Sequence, residues 1–143
     1  LRDRIIQRIR IDRNLTQKTF SIATRDLETA KSVLEGGSYS WSLAIAYNAM
    51  LQAGRALMFS KGFKPAGQYQ HVAVVRFLQE IFSKELTERL ISILDRIRKK
   101  RHTAIYEEPE VVSESEAKNA VQWASEFISQ VEKILKKEQV RRA

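Results

Sequence analysis

The chain has 143 residues, 43% of them hydrophobic, with no cysteine and a formal net charge of +8. That is enough apolar material for one domain with a buried core, and it excludes disulfides, thiolate metal sites and cysteine nucleophiles. The excess of 25 Lys and Arg over 17 Asp and Glu suits a polyanionic partner, such as RNA or an acidic protein surface, unless the basic residues simply solvate helix faces.

Only 5 Gly and 2 Pro are present, too few for the turns of a sheet protein this size, so composition leans all-helical. Residues 1–13 alternate Arg and Ile (Arg4, Ile5, Ile6, Arg8, Ile9, Arg10, Ile11) and are read as a short, weakly periodic helix. A long helix is predicted over Thr16–Glu35, where Phe20, Ala23, Leu27, Ala30 and Leu34 form one stripe and Gly36-Gly37 ends it. A second is predicted over Ser40–Lys61. Its apolar and small residues cover almost the whole circumference, which marks a central helix packed on several sides. Gly62 caps it and Pro65 blocks continuation.

A third helix is expected over Gln68–Phe82, with His71, Val75, Leu78 and Phe82 on one stripe. The fourth is expected over Leu86–Tyr106, and a loop follows at Glu107–Glu110. The fifth opens on Ser113-Glu114-Ser115-Glu116, a capping box, and runs to Lys137 with Ala117, Ala120, Val121, Ala124, Phe127, Ile128 and Val131 inward. The short connections predict an all-α, antiparallel up-and-down bundle of about five helices. It forms a single domain over residues 1–143, with 1–13 and 138–143 peripheral and 141–143 frayed. No apolar run approaches the roughly 20 residues of a membrane span, and no signal segment is evident, so a cytoplasmic setting is expected.

Catalytic signatures are sparse. There is no glycine-rich phosphate loop, no His-Glu-x-x-His pattern and no Gly-x-Ser-x-Gly elbow, so neither a metal nor a cofactor is expected. What stands out is the basic run Arg96-Ile97-Arg98-Lys99-Lys100-Arg101. It usually means a solvated face or a helix C-terminus complementing the macrodipole, but it could hold phosphates. The apolar stripe of the fourth helix (Leu86, Leu90, Ile93, Leu94, Ile97) continues to positions 101, 104 and 105. Ala104 and Ile105 suit a buried seam and Arg101 does not. A guanidinium there needs either a carboxylate from another helix, which would fit a noncatalytic protein-interaction module, or a polar cleft, which would fit a binding site. Arg101 should therefore point inward, with Lys99 and Lys100 more exposed. His71 reads as a half-buried structural histidine or a site residue, and Tyr47 as core with its hydroxyl satisfied or as a site residue.

Several of these segments resemble the HEPN (higher eukaryotes and prokaryotes nucleotide-binding) family. Ala46-Tyr47-Asn48-Ala49-Met50, then Arg55-Ala56-Leu57 and Ser60-Lys61-Gly62, look like its second helix. His71, then Phe77 or Phe82, would occupy its histidine loop and following helix. Arg101-His102-Thr103-Ala104-Ile105-Tyr106 resembles its Arg-Asn-x-Ala-Asp-Tyr segment, and Glu116-Ala117, Ala124 and Phe127 its last helix. The resemblance covers about residues 16–137. It implies a helical bundle that commonly dimerises, and either a metal-independent ribonuclease or a noncatalytic nucleotide- or RNA-binding domain. Such ribonucleases are often toxins paired with a small nucleotidyltransferase antitoxin. The apolar surplus of the second helix also suits a homodimer interface.

The catalytic signature of the family is an arginine followed, about four to six positions on, by a histidine. Two registers compete for it. Arg101 with Tyr106 matches the local pattern but puts tyrosine where histidine stands, and a phenol with a pKa near 10 is a poor base at pH 7. Arg96 with His102 has the spacing but lies off the stripe. The candidate catalytic residues are therefore Arg101, His102 and Tyr106, with Arg96 and His102 as the other register. The candidate nucleotide or RNA contacts are Arg96, Arg98, Arg101, Tyr47 and His71.

Overall fold

The computed structural model describes residues 5–107 and 111–142, the last of these by its backbone alone. Its elements are β1 (Ile6–Arg8), α1 (Arg13–Glu35), α2 (Tyr39–Ser60), β2 (Phe63–Pro65), α3 (Gln70–Ile81), α4 (Thr87–His102), a π-helical turn (Thr103–Glu107) and α5 (Glu114–Arg142). The all-α bundle holds, with one small addition, the antiparallel pair β1–β2. Of the loop expected at Glu107–Glu110, only Glu107 is described, as the end of the π-helical turn; the rest, like Ala143, lies outside the described residues.

Each helix has a local reason to begin or stop. Asp12 caps α1, accepting from the Asn14 N–H at 2.9 Å and the Leu15 N–H at 3.3 Å, so the helix starts three residues before the expected Thr16. It ends as expected at Gly36-Gly37, where the Ser38 N–H returns to the Val33 carbonyl and the Gly37 N–H to Leu34, a Schellman pattern. The capping box of α5 is formed in both directions: Glu116 N–H to Ser113 Oγ at 3.1 Å, and Ser113 N–H to Glu116 Oε1 at 3.0 Å.

The centre is α2, which packs against α1, α3, α4, α5 and β2. Fully buried Tyr47, Met50, Leu57 and Met58 come from it, and meet Phe77, Leu78, Leu90, Leu94 and Phe127. Ser42, also buried, satisfies its hydroxyl by donating to the Ala30 carbonyl across the α1–α2 contact at 2.9 Å. Gly54 allows α3 to come close. A Cβ there would sit 2.7 Å from Val74 Cγ1. The apolar surplus of α2 is thus consumed inside the chain, and the exception is Trp41, 61% exposed near its start. That removes the argument for a shared interface drawn from α2 composition.

The N-terminal segment departs from expectation. It is not a helix. Ile6, Gln7 and Arg8 pair antiparallel with Pro65, Lys64 and Phe63. Gly62 makes the pairing possible: at φ +83° it ends α2, and its carbonyl then accepts the Ile9 N–H at 2.8 Å. A Cβ on it would meet the Ile9 carbonyl oxygen at 3.0 Å. Alternating isoleucines suit a strand better than a helix once a partner strand is available.

The fourth helix also differs. Its stripe is buried as read, at Leu86, Leu90, Ile93, Leu94 and Ile97. After His102 the α-helix gives way to the π-helical turn, which changes the angular position of every later side chain. Ala104 stays buried, but Tyr106 is 65% exposed. Among the described residues, no helix is long and apolar enough to cross a membrane.

Candidate functional site

Arg101 is turned inward as the stripe implies. Its guanidinium carbon lies 5.6 Å from the centre of the Tyr47 ring, and its Nε is buried with no hydrogen-bond partner. No carboxylate pairs with it among the described residues, so the structure does not form the buried ion pair considered for it. Lys99 is exposed, but Lys100 is only partly so: its side chain is 31% exposed, folded over to Glu116 at 3.1 Å. The expected contrast with Arg101 therefore fails at Lys100, because α5 supplies a carboxylate within reach.

Three helices meet around Tyr47. The hydroxyl of Tyr47, on α2, lies 2.9 Å from Nδ1 of His71 in the first turn of α3, with the rings 5.6 Å apart. Arg55, eight positions after Tyr47 and so on a similar face of α2, donates through Nη2 to Gln70 Oε1 at 3.0 Å. The Nε of Arg55, like that of Arg101, is buried and unpartnered. Arg98, one turn before Arg101, pairs with Asp95 at 2.9 Å. Three guanidiniums and one carboxylate thus surround a tyrosine–histidine pair.

The electrostatics follow from that census. Burial pushes the Tyr47 phenol well above its ordinary value, more than Arg98 and Arg101 pull it down. It stays protonated at neutral pH. His71 is pushed down, first by burial and then by the positive charges of Arg101, Arg55 and Arg98. Its imidazole is therefore neutral at pH 7, one ring nitrogen donating and the other accepting. With the proton on Nε2, the Tyr47 hydroxyl donates to Nδ1.

Such an arrangement is short of negative charge and of acceptors. Two buried N–H donors without acceptors are costly. An anion entering between Arg55 and Arg101 would supply both acceptors, and guanidinium forks match the oxygens of phosphate. Among the described residues, no cluster of three His, Asp or Glu side chains could hold a metal.

The other candidates lie elsewhere. His102 is 64% exposed in its side chain, its ring 5.0 Å from that of Tyr106 and its Nε2 3.9 Å from the Glu107 carboxylate. Arg96 projects over the ring of Trp123 on α5, 5.5 Å from its centre. The structure thus brings together Tyr47, His71, Arg98 and Arg101, and leaves Arg96, His102 and Tyr106 on outer faces. Sequence reading overlooked Arg55 and Gln70 as site residues. Arg55 had a signal, its helical spacing from Tyr47. Gln70 had none, because tertiary packing alone brings it there. Two surface hollows, one of 350 Å³ by Phe20 and Leu135 and one of 580 Å³ by Trp41 and Ile105, are lined by none of these residues.

The sequence matches the HEPN domain family over residues 16–134. No curated protein matches the chain. Among solved structures, the crystal structure of TT1696 from Thermus thermophilus is similar, with a TM-score of 0.69 at 19% identity over 84% of this chain and 98% of that one. The crystal structure of ST0689, described as an archaeal HEPN homologue, is similar with a TM-score of 0.62 at 19% identity over 82% of this chain and 94% of the other. At that identity the likeness speaks for the fold, and the sequence match over most of the chain for the family. The chain belongs to the HEPN domain family.

Proposed function

We propose that this HEPN domain binds nucleotides or RNA, holding a phosphate group between Arg101 and Arg55. The observation that carries this reading is the pair of buried, partnerless guanidinium Nε atoms beside a neutral His71. Arg98 adds charge, and Tyr47 fixes the imidazole. The test is binding of ATP and of short RNA at low salt to the wild type and to Arg101→Ala. Wild-type binding that weakens in the variant supports the proposal. No binding of either ligand to the wild type overturns it.

The family signature raises a second reading, a ribonuclease with His102 as base and Arg96 or Arg101 as phosphate ligand. What favours it is the imidazole of His102, 64% exposed in its side chain and open to a substrate. Incubating several RNAs with purified protein in chelator tests it, and cleavage lost in His102→Ala would support it. Family likeness also supports a homodimer and a toxin–antitoxin-like or accessory role beside a small nucleotidyltransferase. Trp41, 61% exposed next to a hollow lined by Ile105 and Val112, offers a contact for the dimer. Light scattering with Trp41→Glu tests the dimer, and co-purification with the neighbouring gene product tests the partner.

A further inference from the structure

Arg8 and Arg10 take no part in the cluster, yet the strand pair that carries them leads to it. Arg8 stands opposite Phe63 in the β1–β2 register and lies over that ring at 5.4 Å. Gln7 and Lys64 stand opposite each other on the other face, both exposed, and Arg10 is exposed just beyond β1. None of Arg8, Arg10 and Lys64 pairs with a carboxylate among the described residues, whereas Lys31, Lys61, Arg89, Arg98, Lys100 and Lys118 all do. The ribbon then runs directly into the site. The Ala66 N–H donates to the Ile5 carbonyl at 2.7 Å, and the Gly67 carbonyl accepts from Gln70 Nε2, whose Oε1 accepts from Arg55. In this connection sits Tyr69, 60% exposed.

We propose that β1–β2, Tyr69 and the arginine cluster form one continuous track for single-stranded RNA. This deepens the reading of the cluster as a phosphate site and rests on it. One phosphate sits between Arg101 and Arg55, a neighbouring base stacks on Tyr69, and the backbone continues along Arg8 and Arg10, which share one face of the ribbon. From Ile6 to Arg10 an extended chain covers about 13 Å, more than a mononucleotide beyond the anchor can use. Unpaired cations alone would fit any polyanion. The exposed aromatic ring among them selects an unstacked base, the combination by which single strands are held. A lipid surface fits less well, because Ile6 and Phe63 are turned against the core.

The experiment is fluorescence anisotropy with labelled oligouridylates, a dinucleotide and a decanucleotide, over a range of salt. The proteins are the wild type, the double variant Arg8→Gln/Arg10→Gln, and Tyr69→Ala, all at exposed positions. The wild type is expected to prefer the decamer by about tenfold or more, the double variant to lose about tenfold on the decamer with the dinucleotide unchanged, and Tyr69→Ala to lose about tenfold on both. The salt slope of the double variant should fall by about 1.4, two phosphate contacts on a single strand. Variants that bind the decamer like the wild type, while Arg101→Met loses both ligands, overturn the track and leave the cluster standing. An RNA duplex of equal length that competes as well as the decamer overturns the single-strand assignment. A wild type that binds neither oligonucleotide overturns the cluster reading, and the track with it.

Discussion

At the end of α4, neighbouring residues face two different environments. Arg101 turns its guanidinium onto the buried Tyr47 ring, where it meets His71, Arg98 and Arg55. His102 turns outward and stacks loosely with Tyr106, 65% exposed. The local pattern Arg101–Tyr106 therefore straddles two sites. The partners that sequence adjacency assigns to Arg101 are outside, and the partners it has come from α2 and α3. In the inner region, burial withholds water from cations and donors, so an anion is worth more there. In the outer region, solvent screens the same groups and charge pairs contribute little.

The comparison can be broken most strongly at Arg101 itself. Arg101→Met should weaken ATP or RNA binding by about tenfold to hundredfold, the loss expected for charge-assisted hydrogen bonds. Its melting temperature should stay level or rise, because the guanidinium has a buried nitrogen without a partner. A buried ion pair would behave in the opposite way, with a loss of about 3–5 kcal/mol on removal of one partner. Calorimetry and a thermal melt on one preparation separate these outcomes.

Tyr47→Phe comes next. It leaves His71 Nδ1 without its partner in a half-buried setting, and should cost about 1–2 kcal/mol in denaturant unfolding. Anion affinity should fall by less than in Arg101→Met, because no cation is removed.

A smaller effect is expected in the pH dependence of stability. The folded pKa of His71 lies below its unfolded value near 6.5. Below that value the unfolded chain binds the proton more readily. The contribution of His71 is therefore complete above about pH 6.5 and is lost as pH falls toward the folded pKa. His71→Asn should flatten this part of the profile, measured by melts between pH 5 and 8. The smallest effect is on the outer face: His102→Ala and Tyr106→Ala should each change ATP affinity less than about twofold, within the usual range for surface changes.

Much of this is legible in the sequence, for reasons residue patterns make plain. The inward turn of Arg101 follows from the stripe Leu90, Leu94, Ile97, because α-helical spacing holds through position 102. The start of α5 is written in Ser113 and Glu116, whose side chains act on their own helix. What sequence could not carry depends on distant partners. The strand at Ile6–Arg8 exists because Phe63–Pro65 lies beside it, more than fifty residues on. The π-helical turn after His102 shifts Tyr106 outward, and no local propensity announces it. Gln70 reaches Arg55 only through the packing of α3 on α2, which no local pattern shows. Lys100 is judged from its own helix, whereas Glu116 of α5 draws it in.

The chain contains 2 histidines, one in each region, and this permits a direct measurement. Imidazole signals can be followed by NMR through a pH titration, with and without ATP. The account predicts that ATP raises the low pKa of His71 and shifts its resonances, because a phosphate between Arg55 and Arg101 favours the imidazolium. The resonances of His102 should not move when ATP is added. A shift at His102 with His71 untouched would contradict the account and move the anion to the outer face.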